Sequence, residues 1–285
     1  MKVFMLWDME GVSGIVSREQ VWFWEEGVRQ EVAEEGQRLL IADINSAAAA
    51  ALQAGVDELV VCDTHHGGGN IILDHVLQDP RITYLDRSRG YQDGRFRWMP
   101  GLDETVDGFL LPGHHAMAGT AGAFLPHTRT LEWADFGING QSVGEMGIEA
   151  CFAGHWGIPV IFAQGDEAAC EEAEAMFPGV VTAAVKRAAE AYTCDGPDPA
   201  LARELTAGKV AEAIEAVRAG RCQPFRPALP MTVTIAMTTA QGAERAEGKP
   251  RVTRVAERAV ECVVERRCDV VNWIVPAGLD MPPLP

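Results

Sequence analysis

The chain has 285 residues, of which 47% are apolar and 23% are charged, and its formal net charge is -17. These proportions exclude a mostly disordered or fibrous chain, and the length allows one large α/β domain or two smaller ones. The excess of acidic residues argues against a nucleic-acid partner, because phosphate binding requires clustered Lys and Arg.

The apolar and cysteine-containing segments predict a cytoplasmic protein with no membrane partner. The longest apolar run, INSAAAAALQAG at 44–55, is alanine-rich and broken by polar residues, which is typical of a helix rather than of a bilayer segment. The opening MKVFMLWDMEG has too short an apolar stretch for a signal peptide. The cysteines form no CxxC pair, so we expect reduced and mostly buried thiols.

In the first half of the chain, apolar strand-like runs alternate with helical patterns, which is the order of βαβ units and of a largely parallel sheet. One long helix is predicted at 25–54, where Gly55 stops it. The predicted strands are VFMLW (3–7), DELVVCD (57–63), RITYLD (81–86) and GFLLPGH (108–114).

The second half begins with a predicted hairpin in FGINGQSV (136–143), which turns at Asn139-Gly140, the pair best suited to a tight turn. Further on, Asp166 is the expected N-cap of a helix. Strands are predicted at 159–164, 180–186 and 231–239, helices at 144–157, 166–177, 198–220 and 255–266, an extended connector at 223–230 and a surface tail at 280–285.

Together these elements predict an α/β protein with a largely parallel or mixed sheet flanked by helices, and with a second, smaller α/β domain. We place the first domain at 1–166 and the second at 167–285. The strand and helix between 159 and 177 fit either side of that boundary.

Six of the seven histidines fall between residues 65 and 127, and four of them form two adjacent pairs. Each pair follows an apolar strand, in VVCDTHHGGGN and in GFLLPGHHAMAGT. Ligand sites of open α/β sheets assemble at the carboxyl ends of strands. Adjacent histidines point in opposite directions, so we expect at most one of His65 and His66, and one of His114 and His115, to reach a common centre.

Two carboxylates, Asp8 and Glu10, end the first predicted strand in FMLWDMEGVSG. Because a strand repeats every two residues, both point to the same side. Two such acids repel each other, and a divalent cation removes that repulsion; one carboxylate can bridge two metals roughly 3.5 to 4 Å apart. Taken alone, the pattern favours an exposed turn, but together with the two histidine strand ends it predicts a metal centre.

Three other features near these strand ends have more than one interpretation. Glu145 and Glu149 in SVGEMGIEA are candidate ligands, although a helix start favours a carboxylate without any metal. Asp63 lies two residues before His65 and is expected either to orient its imidazole or to cap the turn. The GGG at 67–69 lacks the Lys of a phosphate-binding loop, so we interpret it as backbone that allows close approach.

Seven short segments follow one another in an order and spacing that cover most of the chain. They are DMEGVSG (8–14), DTH (63–65), GHHA (113–116), PH (126–127), INGQSVGEMG (138–147), PVIFAQGD (159–166) and VVTAAVK (180–186). This series resembles the zinc D-aminopeptidases of the DppA type, and the ordered set is far more specific than any one of its members.

The resemblance implies a site and roles for its residues. Asp8 would bridge two zinc ions, and the remaining metal ligands would be Glu10, His65, His115 and Glu145. His127 matches the family's catalytic residue, for which we expect a general acid/base or transition-state-stabilising role. Asp63 and Asn70 also match family positions and could support the ligands or the substrate.

The resemblance also implies an activity and an assembly. The family's proteins have two α/β parts, form decamers of two stacked five-membered rings, and remove N-terminal D-residues such as D-Ala from short peptides. We therefore expect a metallo-aminopeptidase that uses a metal-bound hydroxide and whose partners are small peptides and further copies of the chain. The mixed nitrogen and oxygen ligands suit zinc and exclude none of manganese, cobalt or iron.

Two other functions compete with this one. The first is another metal-dependent amidase, or a phosphoesterase, on the same site; a scarcity of Lys near the predicted ligands weakens the phosphoesterase version, although Arg95, Arg97 and Arg129 could approach in the fold. The second is a ring-forming metal-binding protein without activity. The presence of every predicted ligand and of His127 favours a working enzyme.

Overall fold

The computed structural model describes residues 1–85, 99–190 and 192–274. Its largest element is a seven-stranded sheet in which neighbouring strands are parallel, except for the last pair. In spatial order the strands are β3 (Ile82–Leu85), β2 (Glu58–Asp63), β1 (Lys2–Trp7), β4 (Gly108–Leu111), β7 (Val160–Asp166), β8 (Val181–Glu190) and β9 (Thr193–Asp195). The mixed and largely parallel sheet confirms the predicted fold class.

Strand β1 lies inside this sheet and is covered on both faces, which explains its unbroken apolar run. Phe4 and Leu6 belong to the core shared with α2 (Glu145–His155) and α3 (Glu167–Met176). Val3 and Met5 face the opposite core, which is closed by α1 (Gln30–Gln53) and α4 (Pro199–Arg218). The alternation of side chains along one strand thus divides the apolar residues between two helical layers.

A second sheet is antiparallel and has five strands. The hairpin that begins it turns at Asn139 and Gly140, whose φ angles of 51° and 82° are the left-handed values that a tight primed turn requires. The strand order is β11 (Thr253–Ala256), β12 (Ala259–Val264), β10 (Met231–Met237), β5 (Trp133–Ile138) and β6 (Gln141–Ser142), and α5 (Ala240–Glu247) packs against it.

The helix predicted at 255–266 is wrong, because this stretch forms most of the β11–β12 hairpin. Val260, Cys262 and Val264 are buried and lie opposite β10, whereas Glu261 and Val263 between them are less buried. An apolar run this short fits the period of a strand as well as that of a helix, and pairing with β10 decides between them. Helix α5 was not predicted.

The remaining elements follow the predictions closely. Asp166 caps α3 by accepting a hydrogen bond from the Ala169 amide at 2.8 Å, and the cysteines are buried free thiols. Helix α1 begins at Gln30 rather than at residue 25. Most of the arginine-rich loop at 86–101 and the tail at 280–285 lie outside the described residues.

Each sheet takes strands from both sides of residue 166: β8 and β9 extend the central sheet, and β5 and β6 belong to the antiparallel sheet. The division into domains at 1–166 and 167–285 stays a prediction. Among the helices of the described residues, none is both long enough and apolar enough to cross a membrane.

Candidate metal centre

The predicted ligands meet where three parallel strands end. Strand β1 has β2 on one side and β4 on the other, so Asp8 and Glu10 emerge between the segments that follow β2 and β4. Those segments carry His65 and His115, and Glu145 is the first residue of α2. All five side chains are buried, as the convergence of strand ends at one edge of a parallel sheet leads us to expect.

Two glycines allow the ends of β1 and β4 to approach this closely. A Cβ on Gly113, whose φ is 78°, would lie 2.1 Å from the Asp8 carbonyl oxygen, and one on Gly11 would lie 2.3 Å from the His114 carbonyl oxygen. The Gly11 amide donates to the Gly113 carbonyl at 2.6 Å. Any larger residue at either position would separate Asp8 from His115.

Asp8 stands between two pairs of ligands. Its Oδ1 lies 2.9 Å from His65 Nδ1, which is also 3.3 Å from Glu10 Oε2. Its Oδ2 lies 3.4 Å from His115 Nε2, which is 3.6 Å from Glu145 Oε2. We call Asp8 Oδ1, Glu10 and His65 the first half-site, and Asp8 Oδ2, His115 and Glu145 the second half-site.

Backbone carbonyls fix the orientation of both histidine rings. His65 Nε2 donates to the Val21 carbonyl at 2.9 Å, and His115 Nδ1 donates to the Ala116 carbonyl at 3.0 Å. A carbonyl oxygen can only accept, so each of these ring nitrogens carries a proton, and the opposite nitrogen of each ring faces the carboxylates. Histidines that bind metals are held in this way.

The residues fit a divalent cation such as zinc. Glu10 Oε2 and His115 Nε2 are buried without a hydrogen-bond partner, and a buried polar atom without a partner is costly unless a further group binds it. Three ligand atoms, one each from Asp8, Glu10 and His115, lie within 4.8 Å of one another. A mixed set of carboxylate oxygens and imidazole nitrogens is one that zinc accepts.

The charges at the site are strongly coupled. Burial opposes the protonated form of His65, but the Glu10 and Asp8 carboxylates outweigh it and raise the pKa of His65 well above its usual range. Burial likewise opposes the protonated form of His115, but its hydrogen bonds to the Asp8 and Glu145 carboxylates outweigh burial and raise the pKa of His115 well above its usual range. Burial alone would raise the pKa of Glu145, yet the hydrogen bond and charge of His115 lower it to about 2.

His127 lies directly beside the second half-site. Its ring stacks on that of His115 with centroids 3.8 Å apart, and its Nδ1 donates to the Leu125 carbonyl at 2.9 Å. Burial, followed by the charge of His115, lowers the pKa of His127. One ring nitrogen of His127 also lies within 4.8 Å of ligand atoms of His115 and Glu145.

A cavity of about 450 Å³ opens onto these residues. Trp24 and His66 form part of its wall and stack with ring centroids 3.9 Å apart. Arg129 and Leu131 line it as well. Of the three arginines considered for the phosphoesterase alternative, Arg129 reaches the cavity, and Arg95 and Arg97 lie outside the described residues.

The other candidates from the sequence take supporting positions. His114 Nε2 forms a 2.7 Å ion pair with Glu149 Oε2 and is fully buried. Asp63 caps the turn rather than orienting an imidazole, because its Oδ1 accepts from the His65 amide at 3.0 Å and its Oδ2 accepts from Asn70. The glycines at 67–69 all have positive φ, so the conformation of the turn itself requires them.

Three residues that the sequence did not single out support the ligands. Trp22 Nε1 donates to Glu10 Oε1 at 2.9 Å, and Lys186 Nζ donates to the Glu10 carbonyl at 2.7 Å. Glu172 Oε2 accepts from the Met117 amide, two residues after His115. Trp22 follows no strand and Glu172 lies within a helix, so no local pattern separates these two from ordinary core or surface residues. Lys186 ends the segment VVTAAVK (180–186), and its place in the family resemblance is the one signal that could have identified it.

Comparison with known proteins gives the family of the chain. The family model for D-aminopeptidases, Peptidase_M55, matches residues 1–275. The chain belongs to the D-aminopeptidase family. It is 33% identical over 215 residues to a D-aminopeptidase of Bacillus subtilis strain 168, covering 75% of this chain and 74% of the relative.

A solved structure gives the same result for the fold. The chain superposes on the Zn-dependent D-aminopeptidase DppA of Bacillus subtilis, described as a self-compartmentalizing protease, with a TM-score of 0.86. The match has 28% sequence identity and covers 96% of each chain. The prediction that this chain is an enzyme of the D-aminopeptidase class is confirmed, and so is its resemblance to the DppA type.

Proposed function

We propose that this enzyme is a two-zinc aminopeptidase that removes N-terminal D-amino acids such as D-Ala from short peptides. Asp8 would be the ligand shared by the two ions, with Glu10 and His65 as the further ligands of the first half-site, and His115 and Glu145 as those of the second. The observation that supports this most directly is the position of Asp8, whose two oxygens face different histidines at 2.9 and 3.4 Å. The zinc dependence of the related DppA supports the choice of metal.

When bound, the two ions would polarise the scissile carbonyl and activate a water molecule. The protein residues hold the reactants around that centre. The wall formed by Trp24 and His66 offers a flat aromatic surface to the substrate on one side of the cavity.

His127 acts as a general acid/base in this proposal. Its lowered pKa keeps the imidazole neutral near neutral pH, and with Nδ1 donating to Leu125 its Nε2 is left as the acceptor. A neutral imidazole can take a proton from the attacking water and return it to the leaving amine. The stacking of its ring on His115 keeps it beside the second half-site.

The assembly and the location are also proposals. The DppA match is described as self-compartmentalizing, which supports a homo-oligomer, and we propose a decamer of two pentameric rings whose chamber admits only small peptides. The absence of a helix able to cross a membrane, among the described residues, is compatible with a cytoplasmic enzyme.

The test combines metal analysis with chirality. The purified protein should contain two zinc ions per chain and hydrolyse D-Ala p-nitroanilide faster than the L-Ala compound. Two bound metals without amidase activity toward either enantiomer would disprove the proposal. Hydrolysis of p-nitrophenyl phosphate instead would favour the phosphoesterase alternative. Negative-stain images of the same sample show whether rings are present.

A further inference from the structure

Residues 17–25, which we call the strap, lie across the first half-site. The strap contains a single turn of 3-10 helix, at Arg18–Gln20, and Trp24 within it is 47% exposed. Trp22 is the opposite case, since it is only 4% exposed and its indole points inward to Glu10. A surface segment therefore sends one large side chain into the metal centre.

The strap supports both ligands that are specific to the first half-site. The Trp22 indole N–H binds Glu10 Oε1, so that only Oε2 remains directed at His65. The Val21 carbonyl accepts the proton of His65 Nε2 and so directs His65 Nδ1 toward Asp8. These two neighbouring strap residues set the orientation of Glu10 and of His65 together.

The second half-site is supported from elsewhere. His115 is oriented by the carbonyl of its own neighbour, Ala116, and Glu145 Oε2 accepts from the Arg129 amide at 2.7 Å. Glu172, on α3, accepts from the Met117 amide at 2.7 Å and ties the segment after His115 to that helix. Within the described part of the chain, the strap forms no hydrogen bond with His115 or Glu145.

The strap is held against the protein by its first residues. The Arg18 guanidinium lies between two rings, 4.6 Å from the Trp22 centroid and 5.1 Å from that of Tyr192, and it also pairs with Glu25. Such stacking fixes the plane of the indole. Trp22 thus sits between Arg18 and the metal centre, and its ring lies nearly perpendicular to that of His127 with the two ring centroids 5.7 Å apart.

We propose that Trp22 is a positioning residue that controls metal binding at the first half-site only. The inference rests on the proposed two-zinc site. Loss of the indole N–H would leave Glu10 Oε1 buried without a donor and free Glu10 to rotate away from His65. Removal of a hydrogen bond of this kind typically weakens metal binding about 10- to 100-fold. The second half-site, which has its own supports, should keep its affinity.

The test measures zinc release rather than activity. Holoprotein is exposed to rising concentrations of a zinc chelator, and the zinc retained per chain is followed for the wild type, for Trp22→Phe and for Trp24→Phe. The control makes the same change two residues away, in a strap tryptophan that stacks on His66 and lies 5.6 Å from the His65 ring centroid but does not donate the hydrogen bond to Glu10. Trp22→Phe should shift one of the two release steps by about 10- to 100-fold in free zinc, and Trp24→Phe should shift neither.

Two ligand variants, each of which removes one half-site, identify which zinc-release step is shifted by Trp22→Phe. His115→Ala leaves only the first half-site intact, and there Trp22→Phe should weaken the remaining zinc. His65→Ala leaves only the second, and there Trp22→Phe should have no effect. Arg18→Met provides a second route if Trp22→Phe fails to fold, because it keeps the indole N–H and removes only its stacking partner; it should shift the same step by less.

Equal shifts in both backgrounds, an equal shift in Trp24→Phe, or no shift in Trp22→Phe or Arg18→Met would overturn the inference. Those results would leave the proposed function standing if the wild type still holds two zinc ions and cleaves D-Ala p-nitroanilide. A wild type that binds no zinc would instead refute the proposed function, and with it this inference. The two failures are therefore distinguishable in one data set.

Discussion

The two halves of the candidate metal centre use the same ligand types but depend on different parts of the fold. The first half-site has one carboxylate, one histidine and the shared Asp8, and its orientation comes from the strap, a segment with little regular structure. The second has an equivalent set, supported by residues next to β4, by α3 and by the segment before β5. The two half-sites therefore have similar ligands, but only the first depends on a surface segment for the orientation of its ligands.

The largest effect should come from removing a ligand of the second half-site. His115→Ala should lower the zinc content from two ions per chain to one and abolish D-Ala p-nitroanilide hydrolysis, because His115 Nε2 faces both Asp8 and Glu145. Metal analysis and a hydrolysis assay check this.

The matched control is His114→Ala, at the adjacent residue, which faces Glu149 instead. It should keep both zinc ions, although the loss of a buried ion pair should lower the melting temperature. Equal metal loss in the two variants would show that the ligand of this pair is wrongly assigned.

Substitution of His127 tests whether this residue is a metal ligand of the second half-site or a general acid/base beside it. If His127 is a general acid/base, His127→Asn should lower kcat about 10²- to 10⁴-fold and leave two zinc ions in place. Its ring nitrogen is close enough to His115 and Glu145 to make a ligand role a real competitor. A zinc content of one ion per chain in His127→Asn would assign it to the metal instead.

The smallest expected effect is the release of protons when zinc binds, and it should occur at both half-sites. Carboxylates raise the pKa values of His65 and His115 well above the usual range in the metal-free protein, so both rings hold protons near neutral pH that zinc must displace. Zinc binding should therefore release protons, and the apparent affinity should fall as pH falls through those raised pKa values. Glu145 contributes nothing, because its pKa is lowered to about 2.

Calorimetry in buffers of different ionisation enthalpy counts the released protons. If the number of protons released per chain approaches two at low pH and zero at high pH, the two half-sites behave alike in this respect. A release that does not change with pH would show that the histidines are already neutral before the metal binds.

Much of the fold followed from local patterns. Strand β1 was predicted from its apolar run, the hairpin from Asn139-Gly140 and the start of α3 from Asp166 as N-cap, and each holds in the structure. The helix predicted at 255–266 was wrong, since the apolar residues of this stretch fit either period and only pairing with β10 selects the strand.

The sequence by itself determined which residue types stand at the strand ends: two acids after β1 and a pair of histidines after each of β2 and β4. The alternation of side chains along a strand left open which histidine of each pair faces the acids, although the family resemblance implied His65 and His115. The tertiary structure turns these two toward Asp8, because the backbone leaves the extended conformation there; His66, for example, has a φ of 46°. Side chains alternate only while a strand continues. The tertiary structure also brought Trp22 and Lys186 to Glu10 across 12 and 176 residues of sequence, a distance over which no local pattern carries information.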